Sequence, residues 1–215
     1  MSPSTTTPEA MPKIATLRRI TQSLAMLDAL ASRECEFRCY SYNSKWGAGE
    51  EMASMRNGSG DDWFLLFNSY GAALKGFAHE SPLAASSSIA ELIQTHVPAG
   101  FSSFLNEPAF TMNRATFCLW CRCGEPAWSV VATASHPSSE SIDGSLELLR
   151  LLDGEAVSYH QWAESYFECT IPLHAVQALY EHRPLDADLI HAINPNLSLS
   201  DASSDAIEIG YPLAS

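Results

Sequence analysis

A chain of 215 residues, 46% of them apolar, is long enough to bury a core of its own without disulfide or metal staples. Twelve basic residues against 25 acidic ones leave a net charge of −13. So acidic a surface repels phosphate backbones and anionic membranes, which sets nucleic-acid and membrane binding aside. The same field would speed encounter with a basic protein partner, although solubility alone also accounts for it.

Met1-Ser2-Pro3-Ser4-Thr5-Thr6-Thr7-Pro8 opens a polar stretch that reads as a disordered tail over residues 1–12, with one α+β domain over 13–215. It lacks the apolar centre of a signal peptide, and no run approaches the roughly 18 apolar residues of a spanning helix. Cys35, Cys39, Cys118, Cys121, Cys123 and Cys169 sit in apolar or strand-like surroundings. The expectation is a reduced, cytoplasmic protein.

Leu17, Ile20, Leu24, Leu27 and Ala31 recur at spacings of three and four, which predicts a helix with one apolar face. Glu36 to Tyr42 alternates like a half-exposed strand, Asn43 to Gly49 reads as a loop, and Glu50 to Met55 as a second strand. Asn57-Gly58-Ser59-Gly60 supplies turn chemistry. A hairpin follows, its strands spanning 63–77, with Trp63, Leu65 and Phe67 on one face and Phe64 and Leu66 on the other. Both faces therefore need cover, which places it centrally in the sheet. Pairing Phe67 with Ala72 sets the register and puts Asp62 opposite Phe77.

Beyond it, short helices are expected at Ile89 to His96 and Phe101 to Leu105, and a second hairpin at Thr116 to Val131, followed by a polar loop from Ala132 to Asp143. From Ser145 the period is helical. Gly154 ends a Leu146/Leu149/Leu152 stripe. Ser158 and Gln161 suggest a capping box, opening a helix with Tyr159, Trp162 and Tyr166 on one side. Pro172 and Asp186 mark two later helix starts, and Asp205 to Gly210 suits an edge strand. The fold class is α+β, an antiparallel sheet built of a meander plus a second hairpin, packed against several helices.

The register gathers Asp61, Asp62, His79 and Glu80 at the open end of the hairpin, where carboxylates beside an imidazole could do acid–base work or bind a divalent metal. Alternation puts Asp62 and His79 on one face and Asp61 and Glu80 on the other, so a solvated strand end explains them as well. Cys118-x-x-Cys121-x-Cys123 lacks the tight turn of a zinc knuckle, and its first two thiols point to opposite faces. His160 and Glu164 have helical half-site spacing without a partner, and His182 and His191 read as cap or surface residues. No nucleophile elbow, P-loop or dinucleotide fingerprint appears. No metal or cofactor is expected. Trp46, in a Gly-rich loop, is the aromatic best placed to line a binding face.

Ser44-Lys45-Trp46, Glu50 to Gly60 and Gly76-Phe77-Ala78-His79-Glu80-Ser81 together resemble an uncharacterised bacterial protein family, a resemblance that implies no activity and no catalytic residue. In general character the chain is also similar to small acidic bacterial immunity proteins. The functional expectation is a non-catalytic protein-binding module of immunity or regulatory type, contacting a basic partner through Trp46, Glu50, Glu51, Asp61, Asp62, His79 and Glu80. The alternative is a hydrolase or metal-dependent enzyme at the open end of the hairpin.

Overall fold

The computed structural model describes residues 2–86, 88–131 and 142–214. In chain order its elements are α1 (Ile14–Ala31), β1 (Tyr40–Gly47), β2 (Glu50–Arg56), β3 (Asp62–Phe67), β4 (Gly71–Phe77), α2 (Ser88–His96), α3 (Ser102–Asn106), β5 (Phe117–Arg122), β6 (Ser129–Val130), α4 (Ser145–Leu148), α5 (Ala156–Tyr166), α6 (Leu173–Tyr180), α7 (Ala187–Ile193) and α8 (Leu199–Ile209). The six strands form one antiparallel sheet in sequence order. Among the described residues no helix is long and apolar enough to cross a membrane.

The β3–β4 register is the expected one, with Phe67 opposite Ala72 and Asp62 opposite Phe77. Asn68 sets the turn, its Oδ1 accepting Tyr70 N–H at 2.9 Å and Gly71 N–H at 3.1 Å, an Asx turn. Trp63, Leu65 and Phe67 join the larger core, built with α1 and the helices of the C-terminal half. Phe64 and Leu66 join a second core under α2, α3 and the adjoining 3₁₀ turns. The sheet is thus the middle of three layers, which is why its central strands are apolar on both sides. Gly76 is required by close approach: a Cβ there would stand 2.0 Å from the Phe117 ring.

Several local expectations are corrected. Strand β1 starts later and runs through Gly47, because Cys35–Phe37 is a 3₁₀ turn and the supposed loop pairs with β2 across a bulge. Asp205 to Gly210 is the end of α8 rather than an edge strand; the helix is opened by a capping box of Ser198 and Asp201 and closed by Gly210 at φ 73°. Ser158 lies inside α5, its hydroxyl donating to Asp153 at 2.6 Å. Gly154 and Asp186 do cap as expected.

Residues 2–12, expected as a tail, pack against the domain: Met11 and Ser4 are buried, Thr5 N–H donates to Ser145 Oγ at 3.0 Å, and Trp128 Nε1 donates to Pro12 O at 2.9 Å. Short hydroxyl side chains there bond one another and α4, local bonding that polarity alone does not reveal. The polar loop expected at Ala132 to Asp143 lies, up to residue 141, outside the described residues.

Helix α1 is buried all round from Ser23 to Leu30, between the sheet and α6 to α8. Its Asp28 accepts the Tyr40 N–H at 2.8 Å and so covers one position of the β1 edge. Ser44 Oγ donates to Glu208 O at 2.8 Å, which holds the end of α8 against the same strand. Partners of this kind blunt an edge strand as a template for intermolecular pairing.

Candidate functional site

The β2–β3 turn builds the site. Gly58 and Gly60 take φ of 74° and 108°, conformations a side chain resists, and Asn57 Oδ1 accepts the Ser59 and Asp61 N–H groups at 2.9 and 3.1 Å. Asn57 Nδ2 then donates to Asp61 Oδ2 at 2.7 Å. The other oxygen, Oδ1, meets both the His79 N–H at 2.8 Å and His79 Nδ1 at 2.6 Å. Partial burial pushes the Asp61 carboxyl up, but the bonds from His79 and Asn57 outweigh it and hold it below its usual value. The bond to Asp61 raises His79 above the ordinary imidazole value. Nε2 points outward, 3.9 Å from Glu80 Oε1.

Direct Asp61–His79 contact corrects the expectation that the two face opposite ways. The ladder ends at Asp62 and Phe77, so strand alternation does not govern residues outside it. Asp62, the first ladder residue, turns to the opposite side and pairs with the buried Lys75, Nζ to Oδ1 2.6 Å.

Trp46, Glu50 and Glu51 lie at the other end of the sheet, since Glu51 opposes Phe67 while Arg56 opposes Asp62. Five residue steps along β2 separate these ends, about 17 Å. Trp46 stacks over Phe110, with centroids 6.1 Å apart. Glu50 accepts the Ser103 hydroxyl; Glu51 accepts the Tyr42 hydroxyl and pairs with Arg18 at 3.2 Å. The seven expected binding residues therefore fall into three groups, of which only Asp61, His79 and Glu80 share an exposed site.

Two hollows flank that group. One, of about 300 Å³, is lined by Tyr40, Asn57, Asp61, Glu147, Trp162 and Tyr166. The other, of about 310 Å³, lies beside Glu80, Ser81 and Gly144, and shares Asp61, Glu147 and Leu148 with the first. Trp162 anchors the aromatic wall, stacked on Tyr166 at 4.9 Å and edge-on to Tyr40 at 5.4 Å. Tyr166 is one of the large exposed apolar residues. Glu147 and Arg150, 3.1 Å apart, complete the rim.

Sequence reasoning missed this wall, although Tyr159, Trp162 and Tyr166 lie on one side of α5 as their spacing requires. What the sequence could not supply was that the wall stands against the hairpin end.

The remaining candidates have structural partners or lie on the surface, as His191 does in the last turn of α7. Cys118 and Cys121 belong to opposite cores and Cys123 is exposed; all six cysteines are free thiols. His160 Nε2 lies 2.8 Å from Ile171 O while Glu164 accepts the Ile171 N–H at 3.3 Å, so this pair closes the α5–α6 connection. His182 Nε2 lies 2.9 Å from Arg19 O. Among the described residues, no three His, Cys, Asp or Glu side chains are grouped to hold a metal ion. Neither the protein-family models, the curated proteins nor the solved structures compared with this chain give a match.

Proposed function

We propose that this chain is a non-catalytic protein-binding module that receives a basic segment of its partner at the open end of the β3–β4 hairpin. The observation that carries this reading is the aromatic wall of Tyr40, Trp162 and Tyr166 standing beside Asp61 and the exposed Glu147–Arg150 pair, from which a partner cation can take over Glu147. A lysine or arginine side chain lays its stem and charge along aromatic faces and ends on carboxylates, and aromatic anchors with a polar rim characterise protein interfaces. The net charge of −13 adds steering. An acidic binder of this kind suits an immunity or regulatory role in a bacterium, and six free thiols suit a reducing cytoplasm.

The test is titration with lysine-rich and arginine-rich peptides, read by tryptophan fluorescence over a salt series. Affinity is expected to fall with salt, and Asp61→Asn with Glu147→Gln to slow association more than it speeds dissociation. Salt-independent binding, or binding indifferent to Asp61, Glu147 and Tyr166→Ala, rejects the site.

One observation favours a second reading. An imidazole held at Nδ1 by a carboxylate, with Nε2 facing outward, is the arrangement of a general acid or base. Under that reading His79→Gln abolishes turnover of a small substrate while leaving peptide binding intact.

A further inference from the structure

Arg56, Asp62 and Phe77 lie side by side on β2, β3 and β4, on the sheet face opposite the aromatic hollow. In the next row Lys75 sits between Phe64 and Cys118. The Lys75 side chain is 0% exposed and its Nζ lies 2.6 Å from Asp62 Oδ1, so the one carboxylate of this group is already neutralised from beneath. Two guanidinium groups stand near it. Arg56 Cζ lies 5.2 Å from the Phe64 ring centroid, and Arg114 Cζ lies 4.0 Å from that of Phe77.

Both arginines are exposed. Of the nine arginines in the chain, six pair with carboxylates and Arg19 donates to the Glu181 carbonyl. Arg56 and Arg114 are the two left without such a partner among the described residues. In a chain with twice as many acids as bases, the unpaired arginines flank the same Asp62–Phe77 pair. Burial lowers the Lys75 ammonium against the pull of Asp62, and Arg114 and Arg56 add repulsion. Two unpaired guanidinium groups thus share one neighbourhood with a single carboxylate that Lys75 already neutralises.

We propose that Arg56 and Arg114 form a site for a small oxyanion, a phosphate group either free or as the monoester of a small molecule. The planar guanidinium fork donates two parallel N–H bonds to such oxygens. The Phe64 and Phe77 rings hold the forks in place by cation–π contact, while the Lys75–Asp62 pair leaves no free carboxylate charge beside them. Long phosphate polymers are repelled by the rest of the acidic surface, so the site selects small ligands.

Calorimetric titration of the full chain at low ionic strength tests this, with inorganic phosphate, O-phosphoserine and acetate as probes. Saturable phosphate binding is expected, about tenfold weaker in Arg56→Gln or in Arg114→Gln, the size of losing a charged hydrogen bond, and abolished in the double variant. Arg122→Gln, which removes a guanidinium paired with Glu125, should bind as the parent does, and acetate should bind far more weakly than phosphate. Tighter phosphoserine than phosphate assigns a monoester; equal affinity assigns the free ion. Arg56→Lys with Arg114→Lys keeps the charge and loses the fork, so weakened rather than absent binding is expected there. Absence of saturable binding of both phosphate and phosphoserine, or binding unchanged in the folded double variant, overturns the proposal.

Discussion

Tyr159 donates its hydroxyl to Asp28 Oδ1 at 2.8 Å across 131 residues of chain, inside the core. The second oxygen accepts the Tyr40 N–H. Burial pushes the Asp28 carboxyl up to about 7, with the bonds from Tyr40 and Tyr159 pulling the other way. The folded state therefore holds this proton more tightly than the unfolded chain, whose carboxyl titrates near 3.8. Stability contributed by Asp28 is present below about pH 4 and is lost as pH rises through about 7, by an amount on the order of 4 kcal/mol. Asp28→Asn, which can still accept from Tyr40, should flatten that dependence. Denaturant midpoints measured between pH 4 and 8 on both proteins check it; parallel curves would refute it.

The Lys75–Asp62 pair should behave asymmetrically. Lys75→Met leaves a carboxylate of 16% exposure without its cation and should cost about 3 kcal/mol, whereas Lys75→Met with Asp62→Asn should cost much less. Urea unfolding of the two single variants and the double variant measures the coupling. Additive losses would mean the pair is not interacting.

Leu66 is as buried as Leu65, on the face under α2 and α3. Leu66→Ala should cost about 2–5 kcal/mol, as truncation in a closed core does. A cost near 0.5 kcal/mol, ordinary for surface sites, would show that the second layer does not cover the sheet.

The thiols should divide by exposure. Cys35, Cys123 and Cys169 are exposed, whereas Cys39, Cys118 and Cys121 are buried. Burial pushes the Cys39 thiol up to about 11 and the Cys118 thiol higher still, which suppresses the reactive thiolate. A thiol reagent at pH 8 should label three cysteines of the native protein quickly and all six after unfolding, with no prior reduction. Rapid native labelling of Cys118 would contradict the packing of β5.

The central hairpin was legible because three signals coincide there: an apolar run too regular for a loop, a turn with Asn and Gly at its ends, and a register fixed by turn length. Asp186 and Gly154 were legible as caps for the same local reason. Position 205 to 210 misled because Ile207 and Ile209 alternate like a strand, although Ser198 and Asp201 upstream carry the helix-opening signature. The site was only half visible. Register brings Asp61, His79 and Glu80 to one end of the hairpin but puts Asp61 and His79 on opposite faces. Trp162 and Tyr166 reach them through packing of α5, more than 80 residues later, which no local pattern encodes.

Strand β1 meets α8 through the Ser44–Glu208 contact, which spans 164 residues. A ribosome makes the strand long before it makes the helix. Until α8 is made, the nascent β1 exposes backbone groups, the condition under which chains pair with one another. Loss of α8 would leave that strand freer to pair with another chain.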